Sequence, residues 1–124
     1  MKVVIAGGGT GGHLYPGIAI ARELLREREH EALFIGTRQG IEARVLPNEN
    51  LPVRFIPAGK LKGMNLLSAI KTLVLLPLGM IKAISVLWAF RPDVVLGVGG
   101  YASAPVGVAA VMLRIPLVIL EPNS

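Results

Sequence analysis

The sequence predicts an α/β fold with a doubly wound parallel sheet, and three observations support this. Short apolar runs rich in Val and Ile alternate with helix-like segments along the chain. The run at 93–97 is continuously apolar after its first residue, which is typical of buried parallel strands. Two of the runs lead directly into clusters of glycine. At 124 residues and 52% hydrophobic content, the chain is long enough to form one Rossmann-like domain with a core of its own.

The predicted elements alternate regularly between strand and helix. Pro16 fits the first turn of the first helix, Pro47 is expected to end the second, and Pro77 is expected to kink or restart the long crossover. In such sheets ligands gather at the carboxyl ends of the strands, called here the carboxyl edge. The predicted strands are 3–6, 32–36, 53–56, 93–97 and 116–120, and the helices are 16–28, 41–46 and 104–113, with a crossover at 66–90.

The first glycine cluster (residues 7–12, the first glycine loop) follows the apolar run 3–6 and precedes a helix. This arrangement turns backbone N–H groups and the positive end of a helix towards one small space, which favours an anion. Glycine is needed there because a Cβ would hinder positive φ angles and keep a phosphate or a sugar away from the backbone. We therefore predict an anion site.

The common nucleotide motifs do not fit this loop. Gly7-x-Gly9-x-x-Gly12 matches the dinucleotide fingerprint, but the second strand ends in 36–38 without a carboxylate, and Glu42 comes too late. No Gly-Lys-Ser/Thr follows the glycines, so the ATP-binding pattern also fails. The chain has no cysteine, which excludes zinc–thiolate sites and thiol nucleophiles. We expect no cofactor and no metal, and a nicotinamide oxidoreductase is disfavoured.

A second glycine cluster (residues 97–103, the second glycine loop) joins another apolar strand to another helix. One such turn is often only a feature of tight packing. Two of them at the carboxyl edge favour a ligand cleft.

The charge is unevenly distributed along the chain. Residues 1–50 hold six Lys/Arg and six Glu, whereas residues 51–124 hold seven Lys/Arg against Asp93 and Glu121 and supply the whole excess of +5. This asymmetry predicts an anionic partner for the second half. Aromatic residues are few and basic residues do not cluster, so we expect no nucleic acid and favour an anionic lipid surface.

The crossover 66–90 has only two charges, Lys71 and Lys82, whose spacing of eleven residues returns them to nearly the same helix face. Its uncharged run from 72 to 81 is about half the ~20 residues that a membrane span needs. It is either a buried crossover helix or a surface that enters the headgroup layer, and we favour the second. The predicted membrane contacts are Lys60, Lys62, Lys71, Leu78, Lys82 and Trp88.

Three motifs occur together in one known family. The segments 8–13 (Gly-Gly-Thr-Gly-Gly-His), 92–101 and 121–123 (Glu-Pro-Asn) resemble, in order and spacing, the N-terminal part of the MurG family of bacterial glycosyltransferases. The resemblance implies a GT-B architecture in which residues 1–124 belong to the acceptor-side, membrane-associated domain. The UDP-GlcNAc-binding domain would lie outside this chain, so the chain alone is expected to be inactive.

The same resemblance implies an inverting transfer of GlcNAc from UDP-GlcNAc to undecaprenyl-pyrophosphoryl-MurNAc-pentapeptide. The expected location is peripheral, at the cytoplasmic face of the bacterial cell membrane. A diacylglycerol-type lipid glycosyltransferase and a non-catalytic membrane recruiter of a separate catalytic chain stay open as alternatives.

The resemblance also implies roles for individual residues. His13 matches the family's candidate general base and Glu121 an acidic residue of the cleft, although each could instead make only structural hydrogen bonds. The family often reads His-Glu-Gln-Asn where this chain has 120–123 as Leu-Glu-Pro-Asn, which removes a histidine and can shift Asn123. The implied substrate-binding residues are Thr10, Gly11, Gly12, Asn123, Gly99, Gly100, Tyr101 and Ser103.

Overall fold

The computed structural model describes residues 1–7, 11–38, 40–57, 66–99 and 102–120, with side chains except at 11–13, 66–69 and 71–76. Strands and helices alternate throughout these ranges. The strands are β1 (Lys2–Ala6), β2 (Glu31–Gly36), β3 (Val53–Phe55), β4 (Val94–Gly97) and β5 (Leu117–Ile119). The helices are α1 (Gly11–Leu24), α2 (Glu42–Asn48), α3 (Leu66–Phe90) and α4 (Ser103–Met112).

The five strands form one parallel sheet in the order β3-β2-β1-β4-β5. The chain begins in the middle of the sheet, adds strands outwards on one side, and then crosses over to the other side of β1. Val4 of β1 pairs with Leu33 of β2 and with Val95 of β4, so the central strand is covered on both edges. The predicted fold class, a doubly wound parallel sheet, is confirmed.

The sheet separates two hydrophobic cores. Successive strand residues point to opposite faces, so Val3 and Ile5 belong to one core and Val4 and Ala6 to the other. Leu14, Ile18 and Ala21 of α1 and Leu46 of α2 fill the first core. Ala83, Val86 and Leu87 of α3, with Val106, Ala109 and Ala110 of α4, fill the second. Helices α3 and α4 therefore form a single layer on one face.

Helix α1 begins five residues earlier than predicted and ends at Leu24 instead of Arg28. Pro16 lies inside the helix, where it removes only the bond that its N–H would have made to the Gly12 carbonyl. The early turn is retained because it buries Leu14, which is 1% exposed. After Leu24 the sequence offers only polar residues at the next core-facing positions, so the helix gains nothing by continuing.

Two further proline predictions were wrong. Helix α2 passes through Pro47 and ends at Asn48, because Asn50 adopts a positive φ of 57° and Leu51 N–H then closes the helix end on the Leu46 carbonyl at 3.1 Å. Helix α3 does not restart at Pro77 but runs unbroken from Leu66 to Phe90. Burial of apolar side chains on the sheet outweighs the one backbone hydrogen bond that each proline removes.

Candidate substrate-binding site

The two glycine loops leave the sheet side by side. Strands β1 and β4 are neighbours, and Ala6 pairs with Gly97 at their carboxyl ends. The pairing continues one step into the loops, because Val98 N–H donates a hydrogen bond to the Ala6 carbonyl at 2.9 Å. Both loops therefore begin at the centre of the carboxyl edge.

Gly7 and Gly99 bring these loops into direct contact. Gly7 has a φ of 152°, and a Cβ on it would lie 2.3 Å from the Gly99 carbonyl oxygen and 2.5 Å from Cγ2 of Val98. Gly99 itself has a φ of 95°, which glycine adopts far more readily than other residues. The close approach of the two backbones thus requires glycine.

Helices α1 and α4 both point their N-termini at this part of the edge, since each follows a parallel strand. Neither helix has an acidic residue in its first turn, and the N-cap residue of α4, Ala102, makes no side-chain hydrogen bond. The first-turn N–H groups of a helix have no partners within the helix and carry partial positive charge. The geometry therefore suits a diphosphate placed between the two loops.

Ser103 is the first residue of α4 and is half-buried at this edge. A Cβ on Gly97 would lie 2.8 Å from the Ser103 hydroxyl oxygen, so glycine at the end of β4 leaves room for that hydroxyl. The end of β5 lies next to it, because Leu120 N–H donates a hydrogen bond to the Gly97 carbonyl at 2.8 Å.

The structure describes only part of the predicted site. Gly11, Gly12 and the backbone of His13 form the first turn of α1, and Gly99 and Ser103 lie at the second loop. The His13 side chain lies outside the described part of the chain. So do Thr10, Gly100, Tyr101, Glu121 and Asn123.

A buried carboxylate next to the site was missed from the sequence. Glu42 is 1% exposed, and its Oε1 accepts hydrogen bonds from the backbone N–H of Thr37 at 3.0 Å and from its hydroxyl at 3.2 Å. A Cβ on Gly36 or Gly40 would lie within 2.5 Å of the Glu42 side chain. The two glycines around Thr37 were the available signal, because they leave space for an acid that reaches back from α2.

A second polar cluster lies at the opposite edge of the sheet. His30 Nε2 is 3.1 Å from a Glu27 carboxylate oxygen, and its Nδ1 is 3.0 Å from the N-terminal ammonium group of Met1. The ammonium group can only donate, so Nδ1 accepts and Nε2 carries the hydrogen that faces Glu27. Glu29 completes a trio that could geometrically hold a cation. Both ring nitrogens already have partners, so this cluster has a structural explanation.

A parallel sheet with two touching glycine loops defines a Rossmann-like domain that binds phosphate at its carboxyl edge. The chain belongs to glycosyltransferase family 28, whose N-terminal domain matches residues 3–124.

The curated relatives share one printed activity. The UDP-N-acetylglucosamine--N-acetylmuramyl-(pentapeptide) pyrophosphoryl-undecaprenol N-acetylglucosamine transferase of Myxococcus xanthus is 51% identical over 125 residues, covering 100% of this chain and 33% of the relative. The protein of the same name from Geobacter sulfurreducens is 50% identical, with 34% of its length covered. The chain thus spans about a third of the length of the relatives it matches. The resemblance to the MurG family is confirmed.

Solved structures agree with this. MurG from Acinetobacter baumannii superposes with a TM-score of 0.81 at 29% identity, covering 95% of this chain and 34% of that protein. The UDP-GlcNAc 2-epimerase of Neisseria meningitidis superposes with a TM-score of 0.66 at 20% identity, covering 98% and 32%, which shows a shared fold alone.

The contact between Gly7 and Gly99 leads to a stability prediction. Gly7→Ala should destabilise the protein by roughly 2–4 kcal/mol, because the new methyl group meets a backbone carbonyl at an unfavourable φ. Gly107→Ala is the control, since its Cβ meets only Leu117 at an ordinary 3.5 Å within α4. This change should be neutral or stabilising by up to about 1 kcal/mol. Urea unfolding followed by circular dichroism measures both, and equal effects would contradict the contact.

Glu42 gives a second prediction. Glu42→Ala should cost roughly 2–4 kcal/mol, because it leaves the buried N–H and hydroxyl of Thr37 without this acceptor. Glu42→Gln keeps an amide oxygen for Thr37 and should cost less. Glu23→Ala, an exposed change, should stay within about 0.5 kcal/mol. Thermal unfolding of the three variants checks this order, and a harmless Glu42→Ala would show that the carboxylate does not organise the loop.

Proposed function

We propose that this chain is the acceptor-side domain of an inverting N-acetylglucosaminyltransferase. The proposed whole enzyme moves GlcNAc from UDP-GlcNAc to an undecaprenyl-pyrophosphoryl-MurNAc-pentapeptide acceptor. The observation that carries the proposal is the pair of glycine loops joined at Gly7 and Gly99, with two helix N-termini above them. The printed activity of relatives about 50% identical over the whole chain supports the choice of substrates.

The chemistry requires a base and a site for anions. The acceptor hydroxyl oxygen attacks the anomeric carbon of GlcNAc, the bond from that carbon to the UDP oxygen breaks, and UDP leaves with the electron pair. We assign the hydroxyl proton to His13, because an imidazole near neutral pKa suits a general base and its backbone lies in the first turn of α1. Backbone N–H groups of the loops would bind pyrophosphate.

The remaining site residues keep the roles that the resemblance implies. Thr10, Gly11 and Gly12 would contact a pyrophosphate group, and Asn123 the donor sugar, with Glu121 as the acidic residue of the cleft. Gly99, Gly100, Tyr101 and Ser103 would bind substrate from the second loop. The uridine would bind mainly in a second domain outside these residues.

Glu42 argues further against a nicotinamide enzyme. Dinucleotide-binding domains place a carboxylate at the end of the second strand to bind a ribose hydroxyl. Here the nearby carboxylate is buried and accepts hydrogen bonds from Thr37 inside the protein. The end of β2 therefore lacks the acidic group that such a cofactor would need.

The outer face of α3 supports binding to an anionic membrane at the cytoplasmic face of the cell membrane. Leu78 is 50% exposed and Trp88 64% exposed, with Ile70 and Ile81 exposed on the same face. Lys82 is exposed beside them, and the Arg91 guanidinium lies 5.6 Å from the centre of the Trp88 ring. Apolar side chains next to cations suit a headgroup layer.

Helix α4 extends this surface. Val108, Val111 and Met112 are exposed on it, and neither α3 nor α4 contains an acidic residue. No helix in the described ranges combines the length and hydropathy needed to cross a bilayer. Lys71 lies on α3 and is a proposed contact through its sequence position, while Lys60 and Lys62 fall outside the described residues.

The assignment of His13 is tested in the full-length enzyme. His13→Ala should lower kcat roughly 100-fold or more, the usual contribution of a general base. His30→Ala is the matched control at the opposite edge and should leave kcat nearly unchanged. Steady-state transfer of radiolabelled GlcNAc to the lipid acceptor measures both. A near-normal kcat for His13→Ala would leave His13 a structural role.

Membrane binding is tested by vesicle co-sedimentation. The double change Lys71→Glu and Lys82→Glu should weaken binding to anionic vesicles strongly at low salt and much less at high salt, because salt screens exposed charges. Leu78→Ser or Trp88→Ser should weaken it at both, with circular dichroism confirming an intact fold. Arg28→Glu with Arg44→Glu makes the same charge change on the other side of the sheet and should have little effect. Full co-sedimentation of the Lys71/Lys82 variant at low salt would contradict the electrostatic part.

A further inference from the structure

A cavity of about 280 Å³ lies at the carboxyl edge, where β2 and β3 end. It is lined by Arg38, which follows β2, and by Phe55, Ile56 and Pro57 at the end of β3. The two strand ends stay paired there, because Ile56 N–H donates a hydrogen bond to the Gly36 carbonyl at 2.9 Å. The cavity thus occupies the same edge as the two glycine loops, on the side away from β4.

Arg38 gives this cavity a positive charge. Its guanidinium carbon lies 4.9 Å from the centre of the Phe55 ring, so an aromatic face supports the cation. Arg38 forms no salt bridge with any carboxylate in the described part of the chain. A guanidinium group stacked in this way keeps several N–H donors for an incoming carboxylate or phosphate.

The walls of the cavity are held in place on both sides. Glu42 fixes the loop that displays Arg38, because its buried carboxylate accepts hydrogen bonds from Thr37. Helix α3 packs tightly on the other wall, where a Cβ on Gly79 would lie 2.4 Å from the Pro57 carbonyl oxygen. A site whose groups are already ordered loses less entropy when a ligand binds.

We propose that this cavity binds a carboxylate of the peptide portion of the acceptor, and that Arg38 is the residue that recognises it. The inference rests on the proposed function, which supplies an acceptor with a pentapeptide. The cavity between β2 and β3 lies two strand spacings, about 10 Å, from the point between β1 and β4 where the glycine loops meet. Three extended peptide residues span about the same distance. Phe55, Ile56 and Pro57 offer apolar surface to the peptide itself.

The test compares two acceptors in the full-length enzyme. One has free peptide carboxylates, and in the other these are amidated. Arg38→Ala should raise KM for the free-carboxylate acceptor roughly 10-fold, the usual effect of losing a hydrogen bond to a charged group, with kcat and the KM for UDP-GlcNAc almost unchanged. Amidation should cost the unmodified enzyme a similar factor and should cost Arg38→Ala nothing more. Arg44→Ala, which removes an exposed arginine of α2, should behave like the unmodified enzyme.

Each other outcome overturns the inference. If the effects of Arg38→Ala and of amidation multiply, the guanidinium does not contact the carboxylate. If Arg38→Ala instead lowers co-sedimentation with anionic vesicles and leaves KM unchanged, the cation binds a lipid phosphate. If the unmodified full-length enzyme transfers no GlcNAc to either acceptor, the proposed function fails, and this result is distinct from a failure at Arg38.

Discussion

The contact between Gly7 and the Gly99 carbonyl is the constraint on which the site depends. Strands β1 and β4 are far apart in sequence, and they become neighbours only because the long crossover returns the chain to the free edge of β1. Their loops can then share one space only if no side chain separates them, which the 2.3 Å approach at Gly7 makes explicit. The glycines therefore bring backbone N–H groups from two parts of the chain close enough to bind one anion.

The two faces of the sheet serve different environments. Helix α1 covers its core and presents charges to water, where Arg22 pairs with Glu49 and Arg26 with Glu23. The layer formed by α3 and α4 presents apolar side chains and cations instead. Both faces have equally buried cores, so stability of the fold alone does not explain the difference. Binding of the second layer to an anionic apolar surface does explain it.

Much of the fold could be predicted from the sequence, because its signals are local. The β-branched runs, the glycine loops and the alternation of elements predicted all five strands, and errors at strand ends were of one residue or two. The prolines misled, since Pro16, Pro47 and Pro77 all lie inside helices. Proline has a local cost, whereas burying Leu14, Leu46 and Leu87 against the sheet gives a tertiary gain that no local pattern reveals.

Glu42 shows where prediction of the site from sequence reaches its limit. Counting residues from the first glycine loop correctly showed that no carboxylate ends β2, and the same count dismissed Glu42 as belonging to the next helix. It does lie in α2, yet its side chain returns to the end of β2 and accepts two hydrogen bonds from Thr37. In a dinucleotide-binding domain an acid at this strand end faces the ligand, whereas here it faces the protein. The loop that it holds then presents Arg38, a cation, beside the cleft. This reversal of charge favours an anionic ligand over a ribose, in agreement with a domain that binds the acceptor and leaves the nucleotide to another part of the enzyme.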